Sequence, residues 1–114
     1  MADTYKVLGQ ANPAATTPTV LYTVPASKQA VISTISVCNM STSDTNFRVI
    51  IQKAADQSNI LAKQYFAYDT KLFKNDTTSI TVGITLAAGD RVQVYTASDN
   101  NVTFQAFGSE MSTV

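Results

Sequence analysis

The stretch AVISTISVCN, residues 30–39, decides the fold class because its apolar side chains recur at every second position. In an extended strand successive side chains point to opposite faces, so every second residue shares a face. In a helix the apolar residues would instead recur every three or four positions. The stretch therefore predicts one long strand. Its first face holds Val31, Ile35 and Val37, interrupted by Ser33, and its second face holds Ile32, Thr34 and Ser36.

The same period of two recurs in four later stretches. Their apolar positions are rich in β-branched and aromatic residues, which suit a half-buried pleated surface. One apolar and one polar face is typical of antiparallel sheets, and it places Arg48 and Gln52 on a polar, solvent-facing side. The apolar sets are Phe47, Val49 and Ile51; Ile80, Val82, Ile84 and Leu86; Val92 and Val94; and Val102, Phe104 and Ala106.

Turn-forming residues separate these runs at short intervals, and they lie at 41–44, 55–59, 74–76, 88–90 and 98–101. Seven or eight short strands joined in this way predict an all-β, antiparallel β-sandwich or jelly roll. Residues 61–63 fit a helical turn or part of a hairpin, and the aromatic residues that follow favour the hairpin. Strict alternation would place Tyr65 on the face opposite Phe66 and Tyr68.

The first 18 residues differ from the rest of the chain. A short apolar segment containing Tyr5, Val7 and Leu8 precedes a Pro/Ala/Thr-rich stretch that cannot join a helix or a central strand. We therefore divide the chain into an N-terminal arm and linker, 1–18, and a β-sandwich domain, 19–114. The arm either returns to its own sheet as an edge strand or adds a strand to a neighbouring subunit.

Composition excludes several classes of function. The 114 residues include eight basic and eight acidic side chains, one cysteine and no histidine. Histidine-based triads and imidazole metal sites are therefore impossible from this chain alone. Zero net charge argues against nucleic-acid binding. We see neither a transmembrane stretch nor a signal peptide, and we expect a protein made in a cytoplasm.

The remaining reactive groups predict no catalytic site. Five aspartates, at positions 44, 56, 76, 90 and 99, fall in predicted turns, where the carboxylate usually accepts hydrogen bonds from nearby backbone. Cys38 has no cationic neighbour in sequence that would lower its pKa, so we interpret it as a small buried apolar residue. We expect no enzyme, no metal and no cofactor. Tyr65 belongs to the densest aromatic run, which suits core packing, a protein interface, or a platform for a carbohydrate or a nucleobase.

An ordered set of short motifs resembles a family of small virion proteins of tailed bacteriophages, including phages of cyanobacteria and other aquatic bacteria. The set covers most of residues 4–112. Its members are LYTVPA at 21–26, AVISTI at 30–35 with VCN at 37–39, NDT at 75–77, GITLAAGD at 83–90 and FQAFGSE at 104–110. The resemblance implies a non-enzymatic β-sandwich or jelly-roll component of a virion.

Our leading hypothesis is a capsid decoration, or cement, protein that is assembled in the host cytoplasm and resides in the virion. Its partners would be the major capsid protein and copies of itself, as a homotrimer, with no nucleic acid, membrane or small-molecule substrate. Tyr5, Val7 and Leu8 would anchor the arm, and Tyr65 would be an interface aromatic residue. A tail, fibre or appendage component is the first alternative, and a carbohydrate-binding module is the second.

Overall fold

Eight antiparallel strands in two layers form the fold, and the computed structural model describes residues 3–112. A short 3-10 turn, Ala62–Gln64, precedes the fifth strand. The strands are β1 (Asp3–Ala11), β2 (Thr19–Thr23), β3 (Lys28–Asn39), β4 (Thr45–Gln52), β5 (Tyr65–Leu72), β6 (Thr77–Leu86), β7 (Arg91–Thr96) and β8 (Val102–Ser112).

The strand order is that of a jelly roll. Sheet A has the order β1-β8-β3-β6 and sheet B the order β2-β7-β4-β5. Strand β1 therefore pairs with β8, β2 with β7, β3 with β6 and β4 with β5, as if one long antiparallel ribbon had been rolled up. The predicted all-β, antiparallel sandwich is confirmed, with eight strands among the described residues.

The core fills the space between the two sheets with apolar side chains from both. Phe47 of sheet B meets Phe104 of sheet A edge to face, with ring centroids 6.2 Å apart. Such aromatic pairs add a directional term to the burial of apolar surface. Other fully buried side chains include Ile32, Ile35, Val37, Val49, Leu72, Val92 and Val94.

A β-bulge at Ser33 changes the alternation that the sequence predicts for β3. Ile32 pairs with Gly108 of β8, and Thr34 pairs with the next residue, Phe107, so Ser33 is an extra residue. The bulge shifts the side-chain period by one position. Ile32 is consequently buried and Val31 only half-buried, so the prediction that Val31 shares the core face with Ile35 is wrong.

The N-terminal segment is an edge strand of the chain's own sheet. Strand β1 pairs with β8 from Asp3 to Ala11, which corresponds to the first of the two alternatives for the arm. A register shift between Val7 and Gly9 makes Leu8 the extra residue, and Leu8 packs against the core.

A buried carboxylate fastens that edge strand to both sheets. Glu110 of β8 lies 2.8 Å from the Lys6 ammonium of β1 and accepts a hydrogen bond from the Tyr22 hydroxyl of β2. The hydrogen bonds from Lys6 and Tyr22 hold the pKa of Glu110 below its usual range. Burial, with the bond to Glu110, raises the pKa of Tyr22. The triad therefore consists of an ionised carboxylate between a cation and a neutral phenol.

We expect Glu110→Gln to lower the free energy of unfolding by about 1–3 kcal/mol near pH 7, because Lys6 loses its charge partner while partly solvated. The depressed pKa means that the wild-type protein gains this stability above the unfolded-state pKa, about 4.5. That gain is lost as the pH falls through the folded-state pKa. Thermal unfolding from pH 7 to pH 2 measures both effects. Parallel pH profiles for wild type and Glu110→Gln would contradict this account.

Gly108 and Gly83 give a matched pair for testing the bulge. A Cβ atom at Gly108 would lie 1.9 Å from the backbone carbonyl oxygen of Val31, whereas a Cβ at Gly83 meets no atom within 4 Å. We expect Gly108→Ala to destabilise the fold by about 3 kcal/mol or more, since backbone must move. Gly83→Ala should change stability by less than about 0.5 kcal/mol. Urea unfolding of both variants checks the difference, and equal effects would contradict the assigned bulge.

Candidate interaction surfaces

The outer face of sheet A is almost free of charge, and we call it the neutral face. It consists of the side chains that point away from the core: the odd-numbered residues 77–85 and 103–111, alternate residues of β3, and Asp3, Tyr5, Val7 and Gln10 of β1. Within the described part of the chain, Asp3 is its one Asp, Glu, Lys or Arg side chain, and it lies at one end. Hydroxyl and amide groups cover most of the remainder.

Exposed apolar side chains concentrate at the β1 side of the neutral face. Tyr5 is 81% exposed and Val7 is 50% exposed, and Val7 pairs with the half-buried Phe107. Of the three residues predicted as anchors, Tyr5 and Val7 thus point outward together. Leu8 turns toward the core at the β1 bulge and does not share this surface.

The neutral face is large enough for a specific protein contact. Four strands spaced by about 4.8 Å, with nine residues at about 3.3 Å each, give roughly 19 by 30 Å, or roughly 600 Å². Standard interfaces bury about 800 Å² on each partner, and smaller ones are typical of weak contacts. A flat contact through this face alone would therefore be weak unless many copies bound together.

The outer face of sheet B carries a contrasting group, which we call the arginine–tyrosine cluster. The guanidinium of Arg48 in β4 packs against three phenol rings. Its Cζ atom lies 4.2 Å from the ring centroid of Tyr68, 4.5 Å from that of Tyr95 and 5.8 Å from that of Tyr65. Its Nε and Nη2 atoms donate to the two carboxylate oxygens of Asp69 at 2.6 and 3.2 Å. A guanidinium held by a bidentate carboxylate and aromatic faces is a rigid arrangement.

Two irregularities in β5 create this cluster, and strict alternation missed them. Val49 pairs with Ala67 and Ile50 pairs with Tyr65, so Phe66 is an extra residue. A second register shift follows where Asp69 adopts a left-handed φ of 47°. Because Phe66 is an extra residue, Tyr65 and Tyr68 lie on the same face, with ring centroids 4.8 Å apart. The prediction that they occupy opposite faces is wrong.

The ion pair fixes the charge state of the cluster. The hydrogen bond to Asp69 raises the pKa of Arg48, and the same bond lowers the pKa of Asp69. Nη2 of Arg48 also donates to the Tyr68 hydroxyl at 3.2 Å. The pair therefore stays ionised over the physiological range and presents no net charge.

Beyond the cluster, a network of glutamines covers the other end of sheet B. Gln52 lies on the outer side of β4 but is buried, because the segment 53–64 folds over it. Its side-chain oxygen accepts from Gln93 at 2.7 Å and Arg91 at 2.8 Å, and its amide donates to Gln64 at 3.1 Å. The prediction that Gln52 faces solvent is therefore wrong, since a solvent-facing side of a strand can still be covered by a loop.

Four of the five turn aspartates accept hydrogen bonds from backbone N–H groups, but only Asp76 and Asp90 do so within their own turns, as predicted. Asp90 accepts from the backbone N–H groups of Ala54 and Ala87, and Asp44 accepts from that of Lys74. The other accepting carboxylates are those of Asp76 and Asp99, whereas Asp56 pairs with Lys63.

Other candidate features are modest within residues 3–112. Cys38 is half-buried on the outer side of β3, and so it is less buried than predicted. No group of three His, Cys, Asp or Glu side chains in this range is placed to hold a metal ion. In the same range no helix has the length and apolar character that a membrane-spanning segment requires.

Comparison with known proteins finds a similar fold but no related sequence. No protein-family model matches the sequence, and a search of curated proteins finds no relative. Among solved structures, the chain is similar to one in the structure of infectious bursal disease virus, Gx strain. The TM-score is 0.53 at 9% identity, and the match covers 96% of this chain and 30% of the viral one. The chain thus shares its jelly-roll fold with about a third of that viral protein.

We expect Arg48→Lys to lower the free energy of unfolding by about 1 kcal/mol, because an ammonium can neither bind Asp69 bidentately nor lie flat against the tyrosine rings. Lys63→Gln, at an exposed ion pair with Asp56, should change it by less than about 0.5 kcal/mol. Urea unfolding at low and high salt measures both changes. Equal losses for the two variants would mean that the cluster contributes no more than an ordinary surface ion pair.

Proposed function

We propose that this protein is a structural component of a virion, and that it decorates the outside of a bacteriophage head. The observation that carries the proposal is the neutral face. A four-stranded surface with one charged side chain needs little desolvation of ions when another protein covers it. Exposed Tyr5 and Val7 give that surface apolar anchors at its edge.

The fold and the motifs support the same proposal. Jelly rolls occur in viral capsid proteins as well as in other proteins, so the fold alone does not select a function. The neighbouring structure belongs to a virus. The ordered motifs of residues 21–39 and 75–110 resemble tailed-phage virion proteins, which gives the bacteriophage part of the proposal.

In a decoration protein, a neutral surface that binds weakly is sufficient for attachment. Many identical copies on one lattice convert small contacts into durable attachment, provided that all copies engage together. In this proposal the neutral face meets the major capsid protein and neighbouring copies of the chain, as a homotrimer at a three-fold position. The virion is then the place where the protein resides.

Immunogold labelling of purified particles with an antibody to this chain tests the proposal. Dense label over the head, with hundreds of copies per particle by quantitative gel staining, is the expected result. Label confined to the tail, with tens of copies or fewer, would replace decoration by a tail or fibre role. Particles without label would overturn the virion assignment altogether.

A charge placed in the neutral face should prevent attachment. Thr81 is exposed midway along β6, the edge strand of this face, where it pairs with Thr34 of β3. We expect Thr81→Lys to weaken rebinding to depleted particles at least about tenfold, because an unpaired ammonium must be desolvated. Ser58→Lys adds the same charge to an exposed loop on the other sheet and should bind as wild type does. Co-sedimentation with particles measures rebinding, and equal binding by both variants would exclude the neutral face as the contact.

Point substitutions test the role of Tyr5 and Val7 in attachment better than deletion of the N-terminal arm does. Deletion of residues 1–18 would remove β1, which pairs with β8, and would also remove Lys6, the ion-pair partner of Glu110. A loss of attachment after that deletion would then reflect damage to the fold. Tyr5→Ser and Val7→Ser change the exposed anchors and leave the backbone pairing of β1 in place.

A further inference from the structure

A groove on the outer face of sheet B lies on the opposite side of the sandwich from the neutral face. The groove has a volume of about 360 Å³ and is lined by Asp44, Thr45, Asn46, Asp69 and Lys71. This volume is near the lower end of the range for small-molecule sites. All five lining residues have polar or charged side chains.

The charges in and beside the groove cancel in pairs. The Lys71 ammonium lies 3.8 Å from the Asp44 carboxylate, and the Arg48 Nε lies 2.6 Å from the Asp69 carboxylate. Two cations and two anions give these pairs no net charge, which disfavours a phosphate, a nucleic acid or a metal ion. A neutral ligand that both donates and accepts hydrogen bonds suits this lining best.

Each of the two ion pairs is packed against an exposed aromatic ring. Asp69 binds Arg48, whose guanidinium lies 4.2 Å from the Tyr68 ring centroid, and Tyr68 is 58% exposed. The Lys71 ammonium lies 5.1 Å from the Phe73 ring centroid, and Phe73 is 54% exposed. The cations thus pack on these rings while substantial ring area remains open to solvent.

The spacing along the sheet suits a ligand of one or two sugar rings. Asn46 and Lys71 are paired across β4 and β5, and Arg48 lies two residues farther along β4. Two residues of a strand span about 7 Å, which is slightly more than one pyranose ring. A saccharide ring stacked on Tyr68 would therefore bring its hydroxyl groups to the groove.

We propose that this groove binds a neutral saccharide, with Tyr68 and Phe73 stacking against C–H faces of sugar rings. Asp44 and Asp69 accept hydrogen bonds from sugar hydroxyls, and Asn46 and Lys71 donate to them. The site is independent of attachment through the neutral face, because it lies on the other sheet. A decorated particle would carry many such sites pointing away from the shell, and weak individual binding would add up.

NMR titration of the full chain tests the proposal. The probes are cellohexaose, xylohexaose, mannohexaose, laminarihexaose and chitohexaose, each added to about 10 mM, tenfold above a Kd of about 1 mM. We expect at least one probe to shift the backbone amide resonances of residues 44–46 and 68–73. The absence of shifts with all five probes, or shifts confined to the neutral face, would overturn the proposal.

Substitutions then assign the stacking surface. Tyr68→Ala should weaken binding of the responsive probe about tenfold, whereas Tyr68→Phe keeps the ring and should stay within about twofold. Tyr5→Ala removes an exposed tyrosine, 81% against 58% for Tyr68, from the opposite face and is the control. Phe73→Ala provides a second variant should Tyr68→Ala perturb the spectrum far from the groove. Binding unchanged in both alanine variants would overturn the stacking role, whether or not the protein attaches to particles.

Discussion

The pairing of β3 with β8, interrupted at Ser33, is the constraint on which the rest of the structure depends. Strand β3 is central in sheet A, so its register decides which side chains of its two neighbours, β8 and β6, lie beside its core-facing residues. The bulge lets Ile32 and Ile35 point inward although they are three residues apart. It also requires a residue without a side chain at position 108, where Val31 O approaches closely. The same register also determines which side chains of sheet A point outward and form the neutral face.

Much of the fold could be predicted from the sequence, since its main signal is a period of two. In the runs beginning at Phe47, Ile80 and Val102, the residues predicted to face the core do so in the structure. The backbone of these runs is regular, so side chains alternate between the two faces as the sequence predicts. Alternation failed where the backbone gains an extra residue, at Ser33 and Phe66. A bulge is set by pairing with a distant strand, and local residue order does not record it.

The candidate surfaces were harder to predict than the fold. Tyr65 was predicted to be an interface aromatic residue, but its position beside Tyr68 depends on the extra residue Phe66 in β5. Arg48 carried no signal beyond its place on a polar face. The burial of Gln52 depends on how the segment 53–64 folds, and loop paths are poorly determined by composition. Surface chemistry in this protein thus follows from tertiary pairing more than from motifs.

The nested strand order, in which β1 pairs with β8 and β2 with β7, also governs how the chain reaches its native state. Sheet A joins residues 3–11 to residues 102–112, so its edge strand has no partner until residues 102–112 have left the ribosome. Sequence-distant pairings make folding slow, because much chain entropy is lost before the contacts form. The β4–β5 pairing is the most local of the four. We therefore expect folding to begin at the centre of the sequence and to close at its ends.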